Sequence, residues 1–158
     1  MNKVIKLYGL ILILLMGNSV HAAETHVVKM LNQGAEGSME FEPAFIKINA
    51  GDSLNFEMSD AGHNAVTVAA PAGSVPFDTK YKPSTIVKFD VNGLYLYKCA
   101  PHAMMAMAGL IQVSDASNKT EMNEAIMKFE SSVMIPVSYT HLRAHETLMN
   151  LVCRLLLE

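Results

Sequence analysis

The chain has 158 residues, of which 51% are hydrophobic and 17% charged, and its formal charge is −3 at pH 7. This acidic balance argues against a nucleic-acid partner, which would require a basic face. The sequence contains no tryptophan. It also has no phosphate-binding loop, haem-attachment motif or serine-hydrolase motif, which excludes P-loop nucleotide-binding proteins, c-type cytochromes and hydrolases with that serine motif.

The first 22 residues have the layout of a secretory signal peptide. Lys3 and Lys6 precede a short apolar run that includes Ile11–Leu15, and small residues follow up to Ala22. We predict cleavage after Ala22, with Ala23 as the next choice, and therefore export of the mature chain. An uncleaved anchor helix is the alternative, but the apolar run is short for a bilayer span.

Residues 25–114 are predicted to form short β-strands, because runs of β-branched and aromatic residues alternate with turn residues. Seven to eight strands at this spacing are typical of a β-sandwich or barrel. Asn92 and Gly93 lie between two alternating segments and predict a two-residue hairpin. The predicted strands are Thr25–Leu31, Met39–Glu42, Phe45–Ile48, Ser53–Met58, Asn64–Ala69, Thr85–Val91, Leu94–Lys98 and Leu110–Ser114.

A single helix over residues 120–131 is predicted to close the domain, which we place at residues 23–134. Ser117 or Asn118 could cap the start of this helix. The apolar positions recur at helical spacing, so one face of the helix should be buried. These positions are Met122, Ala125, Ile126 and Phe129.

Residues 135–158 differ in character from the rest of the chain. Both arginines, Arg143 and Arg154, lie there, and the segment resembles translated sequencing-adapter read-through. We interpret it as a non-native tail and set it aside from the fold. A genuine amphipathic helix is the alternative, because apolar residues recur there at helical spacing. Since Cys153 lies in this tail, we do not expect it to pair with Cys99.

The chemically informative segment is the loop between the last two predicted strands. Cys99, His102 and Met107 place a thiolate, an imidazole and a thioether on one short loop, and these soft ligands suit copper over calcium or magnesium. A fourth ligand must come from elsewhere, and His63 beside an earlier strand is the best candidate. Two imidazoles, one thiolate and a weak axial thioether make a blue-copper electron-transfer site.

Each of these residues also has an alternative interpretation. Cys99 could be an ordinary buried cysteine, His63 could stabilise a turn, and Met104 could be filler. Cys99 and His102 could form a nucleophile pair, although no third orienting group is evident. The 12 methionines suggest a copper delivery or resistance protein, but they form no methionine-rich tract. A copper oxidase is disfavoured because four protein ligands leave no open position for substrate.

Three motifs within residues 25–129 resemble those of the cupredoxins, and among them the pseudoazurins. They are Phe41-Glu42-Pro43-Ala44, Gly62-His63-Asn64 and Tyr97-Lys98-Cys99-Ala100-Pro101-His102. The resemblance implies an all-β Greek-key sandwich with a C-terminal helix and one type 1 copper ion near one end. It implies that Asn64 joins the ligand loops by hydrogen bonds and that Pro101 stiffens the loop. The implied copper ligands are His63, Cys99, His102 and Met107.

The resemblance implies a monomeric bacterial periplasmic electron carrier that is not an enzyme and docks transiently with copper nitrite reductase or a cytochrome. His102 is the expected electron port, and the expected docking patch is formed by His102, Ala103, Met104, Lys98 and Lys80.

Two features of this surface depart from the pseudoazurin pattern. Positions that commonly carry lysine hold Gln33, Ala61 and Asp78, and Ala103 stands where an aromatic residue is usual. Because lysines steer the carrier towards acidic partners, we predict a weaker salt dependence of association.

Overall fold

The computed structural model describes residues 22–35 and 37–134. The predicted signal peptide, apart from Ala22, and the predicted tail at residues 135–158 lie outside the described residues. Within the part of the chain that is described, no helix has both the length and the apolar character needed to cross a bilayer.

Eight strands and a C-terminal helix form a two-sheet sandwich, which confirms the predicted fold class. The elements are β1 (Thr25–Gln33), β2 (Ser38–Glu42), β3 (Phe45–Ile48), β4 (Ser53–Met58), β5 (Val66–Ala69), β6 (Ser84–Lys88), β7 (Gly93–Lys98), β8 (Ala108–Val113) and α1 (Lys119–Glu130). One sheet has the strand order β2-β1-β4-β6 and the other has the order β3-β8-β7-β5. β1 pairs with β4 in parallel, as does β3 with β8.

The core lies between the two sheets, because alternate side chains of each strand point inward. On β4, for example, Leu54 and Phe56 are buried whereas Asn55 is only half-buried. β7 is buried on both faces: Tyr95 faces the other sheet, whereas Leu96 packs in the cluster beneath α1. The strand that leads into the predicted ligand loop is therefore held firmly from both sides.

The predicted hairpin at Asn92 and Gly93 is wrong. β6 pairs with β4 in the first sheet, whereas β7 pairs with β5 and β8 in the second, so the chain crosses between the sheets here. The burial patterns give the physical reason. β6 is an edge strand that alternates between exposed and half-buried positions, whereas β7 belongs in the centre of a sheet with both faces covered.

The predicted helix is present, but Asn118 does not cap it with its side chain. The Asn118 amide instead donates to the Leu94 carbonyl at 3.0 Å and accepts from the Leu94 N–H at 2.7 Å. Met122, Ile126 and Phe129 are buried, as the apolar stripe predicts. Asn118 therefore attaches the start of α1 to β7 and helps to keep the apolar face of the helix on the sheet.

Candidate metal centre

Three of the predicted ligands meet at one end of the sandwich. His63 follows the turn after β4, Cys99 directly follows β7, and His102 precedes a short 3₁₀ helix at Ala103–Met105. The Cys99 Sγ lies 3.6 Å from Nδ1 of His63 and 3.4 Å from Nδ1 of His102. The two Nδ1 atoms are 3.1 Å apart. Cys99 and His102 follow His63 by 36 and 39 positions in the chain, yet the donor atoms of all three residues form one compact group.

The spacing of these three atoms fits a bound copper ion. The Sγ atom and the two Nδ1 atoms are separated by 3.1, 3.4 and 3.6 Å, so the point in their plane that is equidistant from all three lies roughly 2.0 Å from each. Bonds from a metal to imidazole nitrogen or thiolate sulfur run from about 2.0 to 2.3 Å. One thiolate and two imidazoles form a soft donor set, which favours copper over calcium or magnesium. Both the spacing and the chemistry of the donors therefore suit copper.

Burial controls the protonation of the donor atoms. It lowers the pKa of His63, an effect that His102 reinforces and Asp60 opposes, and so favours the neutral ring, which has a lone pair for a metal ion. Burial also raises the pKa of the Cys99 thiol, against the opposing effect of hydrogen bonding by the backbone of Asn64 and His102. A metal ion that binds the sulfur must therefore displace a proton.

A contact that the sequence analysis missed determines which nitrogen of His63 is free. The Nε2 atom of His63 lies 3.0 Å from Oδ1 of Asn32. Because an amide oxygen only accepts hydrogen bonds, this contact requires the proton on Nε2 and leaves Nδ1 bare. Asn32 lies near the end of β1, and the parallel pairing of β1 with β4 brings this end of the strand close to His63. No local sequence signal could have identified it.

Asn64 connects the two ligand loops. Its side chain is buried, and its Oδ1 accepts a hydrogen bond from the Ala100 N–H at 2.8 Å. On the other side, the backbone of Ala65 exchanges hydrogen bonds with Thr79, a buried residue that the sequence analysis did not single out. These bonds fix the segment after His63 against both the Cys99 loop and the connection to β6.

Met107 closes the ligand loop at its far end. Its N–H donates to the His102 carbonyl at 3.3 Å, and its own carbonyl accepts from the Cys99 N–H at 3.0 Å. The side chain is buried and belongs to the same core cluster as Cys99. Ala106, just before it, has a φ of 65°, in the left-handed region. These backbone hydrogen bonds close the segment from Cys99 to Met107 into a compact loop at the end of β7.

The surface around His102 is mostly apolar. His102 and Ala103 are half-buried, whereas Met104 and Met105 are 51% and 41% exposed. Of the other residues predicted near the docking patch, Pro101 and Lys80 are exposed and Lys98 is half-buried. Gln33, Ala61 and Asp78, which hold no positive charge where the resemblance implies lysine, are all exposed.

Comparisons with known proteins agree with this geometry. Residues 28–114 match the family model described as copper binding proteins, plastocyanin/azurin family. The chain is 41% identical to the pseudoazurin of Methylorubrum extorquens over 107 residues, which cover 66% of this chain and 72% of the relative. It is 45% identical to the pseudoazurin of Paracoccus pantotrophus over 96 residues, which cover 60% of this chain and 66% of the relative.

Solved structures show the same similarity. The crystal structure of pseudoazurin from Methylobacterium extorquens superimposes with a TM-score of 0.63 at 34% identity, covering 82% of this chain and 98% of the other. That of the native pseudoazurin from Hyphomicrobium denitrificans gives a TM-score of 0.60 at 29% identity, covering 70% of this chain and 99% of the other.

Proposed function

The chain belongs to the plastocyanin/azurin family of copper-binding proteins, and from this membership we propose a periplasmic carrier that passes single electrons to redox enzymes. Its similarity to pseudoazurins makes it a copper electron-transfer protein and not an enzyme. The proposed partners are copper nitrite reductase or a cytochrome. The observation that carries the proposal is the convergence of the Nδ1 atoms of His63 and His102 on the sulfur of Cys99.

The proposed ligands of the single copper ion are His63, Cys99, His102 and Met107. Copper bound there would accept and release one electron between its Cu(II) and Cu(I) states. The protein holds the donor atoms in place through Asn64 on one side and through the ring of bonds around Met107 on the other. Because these bonds do not depend on the metal, the donors should move little when the electron arrives or leaves.

His102 is the proposed electron port because, of the four proposed ligands, it alone is not fully buried. Ala103 and Met104 surround it with apolar surface, so a partner can approach closely without burying a charge. This suits a small and short-lived interface. Lys98 and Lys80 would contribute the positive charge at the edge of this patch.

The test of this surface is the salt dependence of association with nitrite reductase, followed by stopped-flow absorption. We expect only a shallow fall in rate with added salt, because Gln33, Ala61 and Asp78 carry no positive charge. The triple variant Gln33→Lys, Ala61→Lys, Asp78→Lys should show a clearly steeper fall. An equally steep fall in the parent chain would contradict the proposed docking surface.

The proposed copper site is tested by the visible and electron-paramagnetic-resonance spectra of the copper-loaded chain. The parent protein should be intensely blue, whereas Cys99→Ser should lose the colour and keep its far-ultraviolet circular dichroism. This substitution replaces the sulfur with oxygen and leaves a side chain of similar shape. A parent chain that binds Cu(I) tightly but stays colourless after oxidation would overturn the carrier function and favour copper delivery.

The proposed periplasmic location follows from the signal-like pattern of residues 1–22. The protein recovered from the periplasm should begin at Ala23, or at Glu24 if the second cleavage site is used. N-terminal sequencing after cell fractionation decides this. A membrane-bound chain that still begins at Met1 would support the uncleaved anchor instead.

A further inference from the structure

The turn before His63 continues the pairing of β1 with β4 beyond the end of β4. The parallel register runs as far as Met30 opposite Met58. One step further, the Asp60 N–H donates to the Met30 carbonyl at 3.1 Å, and Oδ2 of Asp60 accepts the Asn32 N–H at 2.7 Å. Beyond the end of β4, hydrogen bonds of the Asp60 backbone and carboxylate therefore take over the pairing with β1 and attach the turn to the end of that strand.

Asn32 links this turn to the metal centre. Its backbone N–H is held by Asp60, while its side-chain oxygen lies 3.0 Å from Nε2 of His63. Asn32 itself is exposed, so water competes for its amide group and packing alone does not fix its position. A short hydrogen bond to a carboxylate is stronger than a neutral one. The bond from Asp60 therefore holds Asn32 where its side chain can reach the ring.

We propose that Asp60 is a positioning residue for the metal centre, which acts through Asn32 to hold the His63 ring with Nδ1 directed at Cys99. The proposal rests on the proposed function in that copper is taken as the metal. The contacts that carry it, however, belong to the chain alone. Asp60 does not touch the metal in this scheme, and its effect should be lost when Asn32 can no longer transmit it.

The test is the solvent-exchange rate of the His63 Nε2 proton, measured by NMR in the full chain loaded with Cu(I), which is diamagnetic. Asp60→Ala should raise this rate roughly 5- to 10-fold, as expected when a hydrogen bond is weakened. It should also lower the affinity for Cu(I), measured by competition with a chelator, about 10-fold. Asp60→Asn retains an oxygen that can accept from the Asn32 N–H, but this bond is neutral and weaker, so its exchange rate should rise by about two-fold, less than in Asp60→Ala.

Two controls separate positioning from a general loss of stability. Asp78→Ala removes another carboxylate that accepts a backbone N–H at 2.7 Å, in this case that of Lys80, and should leave the exchange rate of the His63 proton unchanged. Asn32→Ala should raise that rate by itself, and adding Asp60→Ala to it should have no further effect.

The proposal is overturned if Asp60→Ala exchanges the ring proton at the parent rate. It is also overturned if Asp78→Ala raises the rate as much, or if Asp60→Ala keeps its full effect without Asn32. The same exchange measurement on the metal-free chain decides the role of Asp60 if the parent fails to bind copper. Failure of the copper function and failure of this proposal therefore give different results.

Discussion

Replacing Tyr97 by Phe is expected to stabilise the protein, although it removes an atom from a well-packed core. Tyr97 is fully buried, and its ring centroid lies 4.7 Å from that of Phe41 and 5.3 Å from that of Phe56. Within the described part of the chain, its hydroxyl has no hydrogen-bond partner. Burial correspondingly raises the pKa of Tyr97.

The magnitude follows from two opposing contributions. A buried hydroxyl without a partner costs about 1–3 kcal/mol, because the hydrogen bonds it made to water are lost on folding. Deleting the oxygen opens a void of roughly 10 Å³ beside Gly109, which costs about 0.2 kcal/mol at the usual dependence on cavity volume. The ring contacts stay. The free energy of unfolding should therefore rise by about 1–3 kcal/mol, and the Tm by roughly 4–12 °C.

The assay is urea unfolding of the parent and Tyr97→Phe in the same metal state, followed by circular dichroism. Tyr95→Phe is the matched control, because Tyr95 is on the same strand but donates its hydroxyl to the Val91 carbonyl at 2.7 Å. The control should lower the free energy of unfolding by about 1 kcal/mol. A loss of stability in Tyr97→Phe, or equal effects of the two substitutions, would refute the reasoning.

Three further outcomes are expected. Asn64→Ala should lower the free energy of unfolding of the metal-free protein by about 1–2 kcal/mol, because the Ala100 N–H loses its acceptor; an unchanged urea midpoint would contradict this. The metal-free protein should be most stable between the ordinary pKa values of 6.5 for histidine and 9.0 for cysteine. Below this window the unfolded chain protonates His63, which the folded state resists because its pKa is lowered. Above it the unfolded chain ionises Cys99, whose pKa is raised in the folded state, and so stability falls on both sides; urea midpoints across pH that show no such maximum would count against it. Ala106→Gly should raise the free energy of unfolding by up to about 1.5 kcal/mol. Glycine relieves about 1–2 kcal/mol of strain at φ 65° but costs about 0.5–1 kcal/mol in chain entropy. A lower Tm would show that the loop is not strained.

The two-sheet fold could be predicted because its signals are local. Alternating burial on β4 and the apolar stripe of α1 are both visible in short windows of sequence. The choice of strand partners was not visible in this way. The Asn92-Gly93 turn has the composition of a hairpin, yet its flanking strands lie in different sheets. The central position of β7, buried on both faces, outweighed the preference of that turn.

The donor residues were evident from the sequence because soft ligands are few and three of them share one loop. Cys99, His102 and Met107 lie within nine consecutive positions, and no fold is needed to see that they suit copper. His63 was chosen as the fourth ligand from its residue type and its place beside an earlier strand, and the resemblance to cupredoxins implied the same residue. The structure then brings its Nδ1 within 3.6 Å of the Cys99 sulfur.

The sequence by itself determined the class of sheet structure and the chemistry of the metal site, because strand alternation and soft donors are properties of neighbouring residues. Only the tertiary structure decided what orients those donors. Asn32 reaches His63 across 31 positions, and Asn118 binds Leu94 across 24. The sequence around an asparagine does not show which distant residue its side chain will bond, because that depends on the register of strands that meet only after the chain has folded.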